Sequence, residues 1–144
     1  MNEQIRGGDW MGRRASSSSK GSTLSVLVVE DDVHTREMMV EMLVHAGLDV
    51  WACATVTEAL ARAARSAPHV VITDLALGEE HGRDLAAALR AREDTARAAI
   101  IAVTGEVSPT PDVIRHLDAY LCKPIELARL PDLVRAIAEA RGAI

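Results

Sequence analysis

The sequence predicts an α/β protein: a parallel sheet covered by helices on both faces. Three observations predict it. From Thr23 onward, short apolar β-branched runs alternate with longer segments whose apolar residues recur at helical spacing. Five runs and five helical segments follow one another, the pattern of parallel strands joined by right-handed helical crossovers. Acidic, hydroxyl and basic residues stand directly after the apolar runs, at the sheet rim where open α/β sheets bind ligands.

The elements follow in order. Ser25 to Val29 is an apolar strand that ends on Glu30-Asp31-Asp32. Val33 to His45 reads as a helix, with Met38 and Met42 and with Val40, Leu43 and Val44 at helical spacing, stopped at Gly47. Leu48 to Ala54 is the second strand. Thr55 and Glu58 form a capping box for a helix running to about Ser66, with Leu60, Ala63, Ala64 and Ala67 as its apolar stripe. Val70-Val71-Ile72 has no internal charge and reads as a strand buried on both faces; it delivers Asp74 to its end. Gly82 or Arg83 opens a third helix to about Arg92, carrying Leu85, Ala86 and Leu89. Ala99 to Val103 is the fourth strand, ending at Thr104-Gly105. Ser108 to Pro111 breaks the chain, so the helix after it is short, within Asp112 to Leu117. Ala119 to Cys122 is the fifth strand, ending at Lys123-Pro124. Leu127 to Ala140 is the last helix; Pro131 moves its regular start to about Leu130 or makes its first turn irregular.

Composition bounds the function. The chain has 144 residues, enough for one domain and a tail, and is 49% apolar with no phenylalanine. Residues 1–22 hold Gly7-Gly8 and a run of four serines from Ser16, with Trp10 as the bulky exception; they read as a disordered tail, and residues 23–142 as the domain. The tail is basic by +2 and the remainder carries −7 of the net −5. That balance argues against direct nucleic-acid binding through a basic face. No apolar run approaches the ~18 residues of a membrane span, and no signal peptide is visible, so a cytoplasmic location is expected. Cys53 and Cys122 lack metal or redox spacing and read as buried thiols. The histidines (His34, His45, His69, His81, His116) show no ligand spacing.

The predicted topology collects Glu30, Asp31, Asp32, Asp74, Thr104 and Lys123 on one rim. Clustered carboxylates repel, so a cation belongs among them. Oxygen ligands from Asp31 and Asp74 suit Mg²⁺, which keeps several waters, one of them within reach of Glu30. A carboxylate such as Asp74 is a competent phosphoryl acceptor, with Lys123 and Thr104 supplying a cation and a hydroxyl for the phosphoryl oxygens. Taken singly, each piece has a plainer reading: the acidic triplet as a helix cap, Lys123 as a surface lysine, Thr104 as turn chemistry.

Val26-Leu-Val-Val-Glu-Asp-Asp32, Asp74 with Gly82 eight residues on, Val103-Thr104-Gly105 and Lys123-Pro124 together resemble the receiver domain of two-component response regulators, over residues 24 to about 141. The resemblance implies a flavodoxin-like (βα)₅ sheet in order 2-1-3-4-5. It implies that Asp74 accepts phosphate from a histidine kinase or phosphotransfer protein. Glu30 and Asp31 match the acidic metal pair, and the backbone carbonyl of Ala76 the third protein ligand of Mg²⁺. Thr104 and Tyr120 match the switch residues, and Lys123 the family's lysine. Beyond self-catalysed phosphotransfer and autodephosphorylation, no enzymatic activity is implied. Its partners are the kinase and a downstream protein or output domain, with homodimerisation open.

The sequence also departs from the family. Gly78 replaces the usual proline four residues after the acceptor, which predicts a looser loop. The stretch from Thr104 to Lys123 is about three residues short, with His116-Leu117-Asp118 in place of the customary Ala-Gly. A shortened fourth helix therefore leaves a second reading open: a receiver-like interaction scaffold whose binding ignores phosphorylation. A third, a Mg²⁺-dependent phosphatase or nuclease, is disfavoured by the absence of an Asp-x-Asp pair on the first strand. Since no output domain follows Ile144, the chain reads as a single-domain regulator or the receiver of a longer protein.

Overall fold

The computed structural model describes residues 23–105 and 110–142. Five parallel strands form one sheet: β1 (Ser25–Val29), β2 (Asp49–Cys53), β3 (Val70–Thr73), β4 (Ala99–Thr104) and β5 (Ala119–Cys122). Their order is β2-β1-β3-β4-β5. The register pairs Val26 with Val50 and Val70, Val71 with Ile100, and Ala102 with Tyr120. The helices are α1 (Val33–His45), α2 (Val56–Arg65), α3 (Gly82–Ala91), α4 (Pro111–Ile114) and α5 (Leu130–Arg141). This is the flavodoxin-like arrangement, with α4 cut to one turn. A two-residue antiparallel ribbon, Ala76–Leu77 against Glu80–His81, stands between β3 and α3.

The strands are apolar on both faces because each face buries a different pair of helices. Val26, Val28, Ile72 and Ile101 pack with Met39, Val40 and Leu43 of α1 and with Leu130, Val134 and Ala138 of α5. Leu27, Val29, Val71 and Ile100 point the other way, onto Ala59 and Ala63 of α2 and Leu85, Ala86 and Leu89 of α3. Leu43, Leu85 and Leu89 are fully buried. Each such leucine contributes about 1.5–3 kcal/mol by leaving water.

The Thr55–Glu58 capping box forms as expected, and Asp32, expected on the rim, serves as a cap instead. Asp32 caps α1, its Oδ2 accepting from the Thr35 amide at 2.8 Å. In α2, Thr55 Oγ1 accepts from the Glu58 amide at 3.1 Å, while Glu58 reaches back to the Ala54 amide. A 3₁₀ turn, Leu127–Arg129, precedes α5, so Pro131 falls in its first turn, where a missing N–H is harmless.

Several packing expectations are corrected. In α1, Val40 and Leu43 are buried as expected and Val44 packs against the core, but Arg36 and Met39 complete the buried face and Met38 is exposed. In α2, Ala59 and Ala63 are buried and Ala64 is exposed, and the expected Ala67 falls beyond the helix, also exposed. Cys53 is buried as expected, which pushes its thiol up to about 12. Cys122 is exposed instead, at the end of β5, which is an edge strand. The tail, residues 1–22 with Trp10, lies outside the described residues.

Candidate phosphoacceptor and metal site

In this strand order, the chain leaves β1 toward β2 on one side and returns to β3 on the other. That reversal opens a crevice at the carboxyl ends of β1 and β3, the ligand site of open α/β sheets. Glu30 and Asp31 enter it from β1, and Asp74 from β3. One oxygen from each lies within 4.8 Å of the others. Glu30 and Asp74 are buried and Asp31 is exposed, so the group opens to solvent on the Asp31 side.

Lys123 reaches in from the end of β5. Its Nζ stands 2.7 Å from Asp74 Oδ2 and 3.3 Å from Glu30 Oε1. Burial alone would lower the lysine's pKa, but its bond to Asp74 and the Glu30 charge outweigh it and hold the ammonium firmly charged. Burial raises the Glu30 carboxyl above the ordinary value, against the lowering pull of the Asp32 amide and of Lys123; the Asp74 charge adds to the rise. Three carboxylates facing one ammonium leave an excess of negative charge in a half-enclosed crevice. Clustered oxygen donors with excess negative charge fit a hard divalent ion such as Mg²⁺.

The neighbouring backbone is fastened around this group. The Ala76 amide donates to Asp74 Oδ1 at 3.0 Å. The Asp32 amide donates to Glu30 Oε2 at 3.1 Å, and buried Arg36 donates to the Glu30 carbonyl at 2.8 Å. The Lys123 amide donates to the Thr104 carbonyl at 2.8 Å, tying the lysine's backbone to the end of β4, where Thr104 is buried. Gly78 turns the ribbon at φ +64° and passes beside Asp31. Gly82 begins α3 against the backbone of Asp74 itself: a Cβ there would overlap the Asp74 carbonyl oxygen.

Of the five charged residues expected on the rim, Glu30, Asp31, Asp74 and Lys123 meet in one place and Asp32 does not, so the site and cap readings of Glu30-Asp31-Asp32 divide between its members. Glu30 and Asp31 join the crevice, while Asp32 caps α1. Tyr120 lies apart, its half-buried ring packed against Leu75, Ala102 and Val113, its hydroxyl accepting from the Cys122 thiol at 3.7 Å. Sequence reasoning missed Arg36 and Glu80. An arginine inside the α1 face was a visible signal for the first; nothing in the sequence marked the second. The loop expected to be loose is a paired ribbon, with Leu77 buried in the core.

Fold and crevice define a doubly wound α/β protein with an acidic, lysine-bearing pocket at its topological switch point. The family profile described as "Response regulator receiver domain" matches residues 26–135, and the chain belongs to that family. It is 28% identical over 124 residues to the acid tolerance regulatory protein ActR of Sinorhizobium medicae, which covers 85% of this chain and 62% of that protein. It is 29% identical over 126 residues to the transcriptional regulatory protein PrrA of Mycobacterium leprae, covering 85% of this chain and 53% of that one. The chain therefore spans only part of these relatives' length. Among solved structures it is similar to the chemotaxis response regulator CheY4 of Vibrio cholerae, with TM-score 0.75, 26% identity, and 81% of this chain and 99% of that one covered. A response regulator structure from Chloroflexus aurantiacus gives TM-score 0.75, 28% identity, and coverage of 82% and 99%. Receiver domains are signalling switches that work with histidine kinases and output domains, and the family uses Mg²⁺ at its acidic pocket. Among the described residues, no helix is long and apolar enough to cross a membrane.

Proposed function

We propose that this chain is a phospho-accepting switch in which Asp74 takes a phosphoryl group from a histidine kinase or phosphotransfer protein, in a Mg²⁺-dependent reaction, and thereby alters binding of a downstream protein. The observation that carries this reading is the contact of Lys123 Nζ with Asp74 Oδ2 beside two further carboxylates. Glu30, Asp31, Asp74 and the Ala76 carbonyl are the groups that would hold Mg²⁺, and the bound ion would neutralise charge on the transferring phosphoryl group. An Asp74 oxygen forms the bond to phosphorus as the bond to the donor histidine breaks, and the imidazole leaves. The Ala76 amide and Lys123 hold the carboxylate in position. Lys123 and the Thr104 hydroxyl then serve the phosphoryl oxygens, and Thr104 and Tyr120 relay the change toward α4 and β5.

The test is direct. Acetyl phosphate with Mg²⁺ is expected to add one phosphate to the parent protein and none to Asp74→Asn. Phosphate found on the Asp74→Asn protein would refute the assignment. The one-turn α4 favours a second reading, a scaffold indifferent to phosphorylation, and equal partner affinity before and after phosphorylation would support it.

A further inference from the structure

The loop that follows Asp74 is closed at its far end by a side chain. Glu80 Oε1 accepts from the Val56 amide at 2.7 Å, across 24 residues. Val56 is the first residue of α2, where a backbone N–H has no partner inside the helix. Thr55 serves the Glu58 amide, so Glu80 completes the cap from outside the segment. On the opposite strand of the ribbon, Glu80 pairs with Leu77 and His81 with Ala76. Leu77 is buried against Leu27, Ala59 and Leu85. The ribbon is therefore anchored twice, by Leu77 into the core and by Glu80 onto α2. Between those anchors and Asp74 lies Ala76, whose amide already holds Asp74 Oδ1.

The geometry points to Glu80 as a positioning residue for the metal site: by fastening the ribbon to the N-terminus of α2, it fixes the direction of the Ala76 carbonyl. This rests on the Mg²⁺-dependent reading above. Gly78 makes the inference necessary. A glycine at φ +64° turns the two-residue loop of the ribbon but adds no stiffness of its own. Rigidity has to come from anchors elsewhere: Leu77 holds one strand of the ribbon in the core, and the Glu80–Val56 bond holds the other. Outer groups that orient ligands typically change metal affinity by about 10-fold or more when removed.

The experiment is Mg²⁺ titration by calorimetry on the full chain, with no phosphodonor present. Glu80→Ala is expected to weaken Mg²⁺ binding about 10-fold. Glu80→Gln keeps an oxygen acceptor and is expected to stay within about twofold, because the tether needs a hydrogen bond and not a charge. Val56→Pro removes the donor instead. Thr55 is extended, at φ −132° and ψ 161°, so a proline fits at this first helical position. It is expected to reproduce the Glu80→Ala loss. Amide exchange at Ala76 and Leu77, followed without metal, should rise in Glu80→Ala and Val56→Pro alone. A merely structural glutamate would lower the melting temperature and leave Mg²⁺ affinity unchanged, and that result overturns the inference. So does a loss in Glu80→Gln equal to that in Glu80→Ala, or normal affinity in Val56→Pro. If the parent protein binds no Mg²⁺, the metal reading itself falls and this inference with it.

Discussion

The ammonium of Lys123 stands 2.7 Å from Asp74 Oδ2, though 49 residues separate them in the chain. Two strand ends make the contact: β3 delivers the acid, and β5 delivers the lysine by way of the Thr104 carbonyl. On the proposed reading, the cation already sits against the oxygen that would accept the phosphoryl group, so little reorganisation would remain for the transfer step.

Lys123→Ala removes a charge-assisted contact of about 1.5–3 kcal/mol. If the ammonium gains that much on the transferring phosphoryl oxygens beyond its ground-state contact with Asp74, its loss slows phosphorylation by acetyl phosphate roughly 10- to 100-fold. Rates of phosphoprotein formation, followed by intact mass, check this. An unchanged rate would place Lys123 outside the chemistry.

Gly82→Ala drives a methyl group into the Asp74 carbonyl, a backbone atom that has little room to move. Overpacking of this kind costs about 1–3 kcal/mol. The urea midpoint should fall accordingly, and phosphorylation with it. Gly105→Ala is the control, since a Cβ there meets nothing within 4 Å; its stability should change by less than ~0.5 kcal/mol.

Glu30 sets a pH dependence. Its pKa in the folded protein lies above the ordinary 4.5, chiefly through burial, so the folded state holds that proton more tightly than the unfolded chain does. The stability linked to this proton is complete below 4.5 and is lost as pH rises through the folded-state value. Glu30→Gln keeps the acceptor and removes the charge. Thermal melts in EDTA should show Glu30→Gln gaining on the parent as pH rises from 4 to 7. A constant difference across that range would contradict the shift. Added Mg²⁺ should stabilise the parent more than the variant.

At the opposite rim, Asp118 is a structural counterpart. Its carboxylate accepts from Arg90 at 2.8 Å, from the Ile100 amide at 2.8 Å and from Arg141 at 3.3 Å. It joins α3, β4 and α5 near the start of β5. Asp118→Ala strands these donors and should cost about 2–4 kcal/mol in urea unfolding. Because the clamp lies at the far end of the strands, phosphorylation of the folded variant should keep the parent's rate.

These residues also separate what was legible from what was not. Glu30, Asp31, Asp74 and Lys123 were readable because each follows an apolar run, and parallel strands put all such ends on one rim. Asp118 showed only as an oddity, standing where the family has a small residue; its three partners lie 28, 18 and 23 positions away. Glu80 showed nothing, since its partner is a backbone amide with no identity in the sequence. Cys122 misled because its apolar neighbours suggested burial on what is an edge strand.

The sequence by itself determined the alternation of strands and helices, the cap at Thr55, and the carboxylates and lysine that the rim presents. These depend on local periodicity and on neighbours within a few residues. Only the tertiary structure decided which helix faces were buried, that the loop after Asp74 closes onto α2, and that Arg36, Glu80 and Asp118 brace the framework. Such contacts join backbone groups and side chains far apart in the chain, and their partners are chosen by packing, which local pattern does not encode.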